Sequence, residues 1–223
     1  MLPEKFKERM KALMGQEAEQ LFSAIEDGDA VRSFRVNLIK TTTEEFERSA
    51  PIISRKKLDF PPDSYATDEQ FPSAYASHHS GAIYMQDPSA MATVFALDWH
   101  EGMRALDSCA APGGKTTQIA QLVGESGVVL ANEYESKRAR ILQGNVERMG
   151  CKNVVVTNLD TAVIAEKYSG EFDVVLCDAP CSGEGMFRKN PTAISEWSED
   201  NVTMCAERQR EILGNVAKCV APQ

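Results

Sequence analysis

Two short stretches of the chain place acidic, basic and thiol side chains directly after apolar segments. Residues 105–117 read ALDSCAAPGGKTT, where Asp107 is followed by a turn and Lys115. Residues 172–187 read FDVVLCDAPCSGEGMF, where Asp178 precedes Cys181. A cysteine that follows a proline and stands beside an acid and glycines is exposed and oriented for nucleophilic chemistry. The two stretches therefore predict a cofactor turn beside a reactive thiol.

The AAPGGK turn is suited to a charged ligand. Gly113 and Gly114 let the backbone approach a ligand, and the following helix offers free N–H groups to a carboxylate or phosphate. A P-loop is excluded, because Walker A needs a glycine where Cys109 stands, and Pro112 would stiffen the loop. The dinucleotide fingerprint G-x-G-x-x-G is also absent. The turn therefore predicts a different cofactor.

Acidic residues follow three successive predicted strands, at Asp107, Glu133 and Asp160. Glu133 is placed to pair with ribose hydroxyls, as the acid in Rossmann sites does, and Asp160 is suited to an adenine amino group. Arg138 can support Glu133, although a solvated helix arginine is the preferred interpretation. Sites for S-adenosylmethionine have this arrangement of acids, so we expect that cofactor.

Asp178, Cys181 and Lys115 are the types of group that methylation of cytosine at C5 requires. Carbon C5 is a poor nucleophile until a thiolate adds to C6. A carboxylic acid bonded to the ring N3 stabilises that adduct, and a lysine can assist electrostatically. The remaining cysteines outside the turn are interpreted as core or surface thiols: Cys151, Cys177, Cys205 and Cys219.

Alternating strand and helix patterns position these residues at one edge of a sheet. The predicted elements are strands 103–107, 127–132, 153–158 and 172–177, and helices 115–123, 136–149, 161–168 and 199–219. The strands are continuous apolar runs, which is typical of parallel strands covered on both faces. The pattern predicts an α/β fold with a doubly wound, mostly parallel sheet. Ligands of such a sheet bind beyond the carboxyl ends of its strands.

The first part of the chain has a different pattern. Residues 3–26 have helical periodicity, and SFRVNLIK at 33–40 alternates like a strand. The apolar side of the helical stretch contains Phe6, Met10, Leu13, Met14, Ala18, Leu21, Phe22 and Ile25. Thr42 and Glu45 have the spacing of a capping box, which predicts a helix from about residue 43.

Residues 51–80 are interpreted as an irregular connector with short strand-like pieces, and a new helix is predicted at Asp87-Pro88. We therefore expect a small α+β N-terminal domain with its connector over residues 1–80. A cofactor-binding domain is expected over residues 81–223.

Composition argues against several classes of protein. A hydrophobic content of 43% with 26% charged residues is ordinary for a soluble globular chain. No apolar run is long enough for a membrane span and the start is charged, so a cytoplasmic location is expected. The six cysteines lack the spacing of a zinc site, so neither a metal nor disulfides are expected. The net charge of −9 weakens a nucleic-acid partner without excluding one, because charge can be unevenly distributed.

The motifs resemble those of the RNA cytosine-C5 methyltransferases of the Sun family, in particular the bacterial RsmF-type rRNA enzymes. The matching stretches are RVNLIK (35–40), GAIYMQDPSAM (81–91), DSCAAPGGKT, NEYESKRA (132–139), TNLD (157–160) and DAPCSGEGMFRKNP (178–191). The resemblance implies a class I, Rossmann-like methyltransferase fold and an RNA substrate, rRNA or possibly tRNA. It also implies an N-terminal domain that helps to grip RNA, and we expect a monomer. The cofactor contacts that it implies are Cys109, Ala110, Ala111, Pro112, Gly113, Gly114, Lys115, Glu133, Asp160 and Asp178, with Arg138 beside them.

The resemblance assigns two cysteines to separate roles. Cys181 corresponds to the cysteine that assists release of the methylated base, whereas the nucleophile belongs to a later strand with a Thr-Cys pair. The chain ends at GNVAKCVAPQ, and Cys219 has no threonine before it. We therefore expect a C-terminally truncated, inactive fragment whose nucleophile lies beyond residue 223 and whose last strand is an exposed edge. Two alternatives remain open: Cys181 as the sole nucleophile, and a non-catalytic cofactor-binding or RNA-binding module.

Overall fold

The computed structural model describes residues 2–28, 31–49, 55–69 and 74–222. The chain divides into two compact units. The smaller unit takes its residues from 1–30 and 179–211, and the larger from 31–178 and 212–223. The expected domain boundary between residues 80 and 81 stays a prediction.

Two helices begin the chain, α1 (Glu4–Met14) and α2 (Glu17–Glu26). The expectation of one helical stretch is corrected here, because Gly15 ends α1 with a φ of 60°. Leu13 and Met14 were predicted on the apolar side, but both are exposed. The turn at Gly15 interrupts the periodicity, so each helix buries its own set of residues.

Four short strands form an antiparallel sheet in the larger unit. They are β1 (Arg32–Val36), β2 (Lys56–Lys57), β3 (Ser64–Thr67) and β4 (Ile83–Met85), in the order β2-β3-β1-β4. Helices α3 (Thr43–Ser49) and α4 (Ala76–His79) accompany them. The short strand-like pieces expected within residues 51–80 correspond to 56–57 and 64–67, whose strands pair with each other and with β1.

The strand predicted over 33–40 ends at Val36. Asn37 ends it, because its side-chain Oδ1 accepts a hydrogen bond from the backbone N of Ile39 at 3.1 Å and turns the chain. The predicted capping box at the start of α3 is confirmed. The backbone N of Glu45 donates to Thr42 Oγ1 at 3.1 Å, and the backbone N of Thr42 donates to Glu45 Oε2 at 3.2 Å.

A second sheet carries the motifs, and all of its strands are parallel. It consists of β5 (Arg104–Asp107), β6 (Val128–Asn132), β7 (Val154–Thr157) and β8 (Val174–Leu176), in the order β7-β6-β5-β8. Its helices are α5 (Pro88–Ala92), α6 (Gly114–Leu122), α7 (Ser136–Met149) and α8 (Thr161–Lys167). The predicted α/β class with a parallel sheet is confirmed.

Strand β8 is shorter than the predicted 172–177. Phe172 forms an isolated parallel bridge with Val220 instead, and Asp173 Oδ2 accepts a hydrogen bond from the backbone N of Arg104 at 2.8 Å. Within the described residues, this bridge is the only pairing on the side of β8 that faces away from β5.

The smaller unit is completed by α9 (Pro191–Glu196) and by most of α10 (Glu199–Val216). Its core joins the two chain segments around an aromatic cluster of Phe6, Phe22, Phe187 and Trp197. The Phe6 ring lies 5.1 Å from the Phe187 ring and 5.6 Å from the Trp197 ring, both edge to face. Burial of these rings holds the unit together.

Candidate active site

The AAPGGK turn connects β5 to α6. Gly113 is the N-cap of α6 and has a φ of 109°, a backbone conformation that residues other than glycine rarely adopt. Asp107 ends β5 and accepts a hydrogen bond from Thr116 Oγ1 at 2.7 Å. Burial raises the pKa of Asp107 to about 6, and the bond from Thr116 opposes that rise. The acid therefore ties the strand end to the first turn of the helix.

The two glycines of the turn are tightly packed against neighbouring side chains. A Cβ on Gly113 would lie 3.1 Å from Leu142 Cδ1 of α7. A Cβ on Gly114 would lie 3.1 Å from the side-chain carbonyl carbon of Gln86, just after β4. The glycines are thus also in close contact with neighbouring elements, and the expected approach of the backbone to a ligand stays a prediction.

Glu133 follows β6 and is paired with Arg138. Arg138 Nη1 lies 3.4 Å from Glu133 Oε2, and Arg138 Nη2 donates to the carbonyl of Ala111 at 2.9 Å. Arg138 is exposed, as the interpretation of a solvated helix arginine expects, but its guanidinium also links the end of β6 to the cofactor turn. Glu133 Oε1 accepts from the backbone N of Glu135 at 3.0 Å. Its Oε2 is buried and has no hydrogen-bond partner.

The end of β7 is joined to the end of β6 by two asparagines. Fully buried Asn132 accepts from Thr157 Oγ1 at 2.9 Å and donates to the carbonyl of Leu159 at 3.0 Å. Asn158 donates to the carbonyl of Glu133 at 2.7 Å. Sequence reasoning gave these two residues no role, although an amide at the last position of a buried strand is a signal for such a link.

Asp160 is exposed at the start of α8. Its Oδ1 accepts from the backbone N of Ala162 at 2.8 Å, so this oxygen caps the helix. The other carboxylate oxygen is free of that bond and is available to a donor from a ligand.

Lys115 and Asp178 are brought together by α6 and the end of β8. Lys115 Nζ lies 2.6 Å from Asp178 Oδ2. The lysine side chain is 19% exposed and the aspartate side chain 55% exposed. This ion pair joins the two sequence motifs, which are 63 residues apart.

Cys181 lies in the smaller unit, in a loop that is fixed by its neighbours. Ser182 Oγ donates to Glu184 at 2.8 Å, and Trp197 Nε1 donates to Glu184 Oε1 at 2.9 Å. Burial raises the pKa of Glu184, but the bonds from Trp197 and Ser182 outweigh it and leave the pKa below its usual value. Pro180 is held too, because its carbonyl accepts from Gln209 Nε2 at 3.0 Å.

Four of the other five thiols are poorly suited to nucleophilic chemistry. Burial raises the pKa of Cys109 to about 12 and that of Cys151 to about 11, so both stay protonated at neutral pH. Cys205 and Cys219 are buried. All six cysteines lie in the described residues, and Cys181 is the exposed one.

The polar groups at this edge of the sheet fit a nucleoside cofactor. Glu133 Oε2 is ion-paired with Arg138 but accepts no hydrogen bond, and it is a buried acceptor at the position where a ribose hydroxyl binds in related sheets. Helix α6 follows β5, the strand next to β6, and its N-terminus attracts negative charge. In the described part of the chain, no group of His, Cys, Asp or Glu side chains is arranged to hold a metal ion. No helix there is long and apolar enough to cross a membrane.

Comparison with known families agrees with this geometry. Residues 94–223, more than half of the chain, match the family described as 16S rRNA methyltransferase RsmB/F. The chain belongs to the RsmB/F family. Residues 2–88 match the N-terminal domain of 16S rRNA methyltransferase RsmF. The resemblance to Sun-family, RsmF-type enzymes is therefore confirmed.

This RsmB/F-family chain is similar to longer bacterial proteins. It is 45% identical over 149 residues to ribosomal RNA small subunit methyltransferase F of Serratia proteamaculans, covering 66% of the chain and 31% of that protein. It is 37% identical over 200 residues to the protein of the same name from Cronobacter sakazakii, covering 86% of the chain and 42% of that protein. The chain thus spans less than half the length of these relatives.

A solved structure has the same fold. The chain superposes on a methyltransferase homolog protein from Pyrococcus horikoshii with a TM-score of 0.84 and 28% identity. The superposition covers 99% of the chain and 70% of that protein. The predicted class I, Rossmann-like methyltransferase fold is confirmed.

Proposed function

We propose that the chain binds S-adenosylmethionine and takes part in methyl transfer to C5 of cytosine in RNA, with ribosomal RNA as the substrate. The observation that carries the proposal is the buried Glu133 Oε2, which has no hydrogen-bond partner and lies beside a turn braced by Arg138. The ion pair with Arg138 Nη1 at 3.4 Å offsets part of the charge of this oxygen but is not a hydrogen bond, and the ribose hydroxyls supply the donors that it lacks.

Each part of the cofactor has a matching group on the chain. Glu133 accepts from the ribose hydroxyls, and Asp160 accepts from the adenine amino group through its second oxygen. The backbone N–H groups at the start of α6, in the turn from Cys109 to Lys115, receive the carboxylate. When bound there, the cofactor supplies an electrophilic methyl group on sulfur.

Three side chains, Asp178, Lys115 and Cys181, act on the base. In its protonated form, Asp178 donates a hydrogen bond to the ring N3 of cytosine, and the 2.6 Å contact from Lys115 Nζ to Asp178 Oδ2 orients the side chain. Cys181 is exposed on a loop fixed through Glu184, as expected for a thiol that approaches the base and assists its release after methylation. Its role as the sole attacking thiol is the alternative.

The RNA partner is supported by the family and by an uneven charge distribution. The chain as a whole has a net charge of −9. The stretch 136–152 differs, because it has five basic residues against one acidic residue, and Lys137 and Arg140 are exposed there. Basic side chains on one helix face are suited to phosphate contacts.

Calorimetric titration with S-adenosylmethionine tests the cofactor part of the proposal. Glu133→Gln keeps the shape of the side chain but makes it a weaker hydrogen-bond acceptor, so we expect the affinity for S-adenosylmethionine to fall about tenfold. Glu147→Gln is the matched control, because Glu147 is an exposed acid on α7. A folded wild-type chain that does not bind the cofactor would refute the proposal.

Methyl transfer to cytidine-containing RNA tests the role of Cys181. If Cys181 assists release, Cys181→Ala leaves a covalent protein–RNA complex that survives denaturing electrophoresis. Loss of turnover without that complex would instead assign Cys181 the attack on C6. Cofactor binding with neither turnover nor RNA binding favours a non-catalytic module.

A further inference from the structure

The RVNLIK segment (residues 35–40) forms hydrogen bonds with two helices of the parallel sheet, α6 and α7. Lys40 Nζ donates to the carbonyl of Arg148 at 2.6 Å, and Asn37 Nδ2 donates to the carbonyl of Met149 at 2.8 Å. These carbonyls belong to the last turn of α7, where helix carbonyls lack partners of their own. Asn37 and Lys40 therefore cap α7 from the antiparallel sheet.

Arg35, in the same segment, contacts the cofactor turn instead. Its Nη2 donates to the carbonyl of Gly114 at 3.0 Å and to Thr117 Oγ1 at 2.6 Å. Its Nε donates to Gln86 Oε1 at 3.2 Å, and the guanidinium lies 5.1 Å from the centre of the Tyr84 ring. Both bonds from Nη2 reach the first turn of α6.

A contribution to stability alone does not explain why the charged Arg35 side chain is buried at this place. Arg35 is 3% exposed, its Nη1 has no hydrogen-bond partner, and burial lowers its pKa to about 10. A buried cation at the start of a helix also opposes the helix dipole. The same placement adds positive potential where the α6 N–H groups point, which favours an anionic ligand there.

We propose that Arg35 is a positioning residue for the cofactor. It holds the first turn of α6 through Gly114 and Thr117, so that the free N–H groups of that turn are fixed for the carboxylate of S-adenosylmethionine, and it strengthens the attraction for that charge. This inference rests on the proposed cofactor binding. It gives the antiparallel sheet a part in methyl-donor binding as well as in the fold.

Paired substitutions in the same segment separate positioning from structural support. Arg35→Met removes every donor to α6 and keeps most of the side-chain volume. We expect it to weaken S-adenosylmethionine binding about tenfold, the loss typical of a charge-assisted hydrogen bond. Lys40→Met removes a contact to α7 and is expected to leave the affinity within about twofold of the wild type, because it does not touch the turn.

Amide hydrogen exchange of the ligand-free chain gives a second readout. Arg35→Met is expected to speed exchange at residues 114–118, whereas Lys40→Met is expected to speed it at residues 148–151. Equal weakening of cofactor binding by both variants would overturn the inference. Unchanged binding by an Arg35→Met variant that still melts cooperatively would also overturn it.

A third variant keeps the test valid if Arg35→Met fails to fold. Thr117→Val leaves Arg35 in place and removes the hydroxyl that accepts from it. We expect weaker cofactor binding in this variant, and unchanged binding would overturn the inference. A wild-type chain without affinity for S-adenosylmethionine would refute the proposed function itself. Failure of the proposed function is therefore distinguishable from failure of the inference about Arg35.

Discussion

Asp107 is a carboxyl group whose protonation is coupled to the stability of the cofactor turn. It is almost fully buried and receives a hydrogen bond from Thr116. Burial raises its pKa from 3.8 to about 6 in the folded chain. Between these values the folded chain binds a proton that the unfolded chain does not. The contribution of Asp107 to stability is therefore complete below the lower pKa and is lost as pH rises through the upper one.

Asp107→Asn should remove this pH dependence. Relative to the variant, the wild-type chain should lose up to about 3 kcal/mol of unfolding free energy between about pH 4 and pH 6, since each pKa unit corresponds to about 1.4 kcal/mol. Urea unfolding at a series of pH values measures the difference. Curves that stay parallel across this interval would show that Asp107 titrates normally.

At the scale of elements, close backbone contact joins the antiparallel sheet to α7. Gly81, just before β4, has a φ of 74°. A Cβ at this position would lie 2.0 Å from the carbonyl oxygen of Arg148. That carbonyl is the one that Lys40 caps, so neither the glycine nor the helix end can shift without breaking the cap.

Gly81→Ala should therefore be strongly destabilising, by about 3 kcal/mol, because it combines a strained φ with a backbone clash. Gly144→Ala is the control, since Gly144 is an exposed position of α7 where a Cβ meets nothing within 4 Å. Alanine there should raise stability by about 1 kcal/mol, because it favours the helix. Chemical denaturation followed by circular dichroism measures both, and similar losses in the two variants would contradict the argument.

Elements with strong local signals could be predicted from the sequence, and elements held by partners could not. Helix α7 was predicted over its observed range, because its apolar spacing and the glycine that follows mark both the face and the end. Strands β2 and β3 could be expected only as short strand-like pieces without bounds, since two and four residues are too few for a periodicity and their order comes from pairing.

The site divides in the same way. Acids at strand ends follow from parallel topology, so Glu133 and Asp160 could be named from the sequence. The bonds from Arg35 to Gly114 and from Arg138 to Ala111 join residues 79 and 27 positions apart. No local pattern contains such pairs, because the fold alone brings them together.

At the scale of the whole molecule, the smaller unit depends on two distant chain segments. Phe6 of α1 contacts the rings of Phe187 and Trp197, which come from the second segment. Leu13 of the same helix is 69% exposed. The helix therefore contributes to stability through its buried face.

Phe6→Ala should cost about 3–5 kcal/mol, the range for truncating a buried aromatic side chain. Leu13→Ala is the control and should change stability by less than about 0.5 kcal/mol. Unfolding followed by Trp197 fluorescence in a Trp99→Phe background reports on this unit. Equal effects of the two substitutions would show that the aromatic cluster does not hold the segments together.

This division of the smaller unit has a consequence for synthesis on the ribosome. The apolar faces of α1 and α2 emerge long before their partners Phe187 and Trp197, which are translated more than 150 residues later. At about 5–20 residues per second, Phe6 and Phe22 wait on the order of ten seconds or more for those partners. We expect the nascent chain to expose a chaperone-binding segment during that interval, while the parallel sheet is being completed.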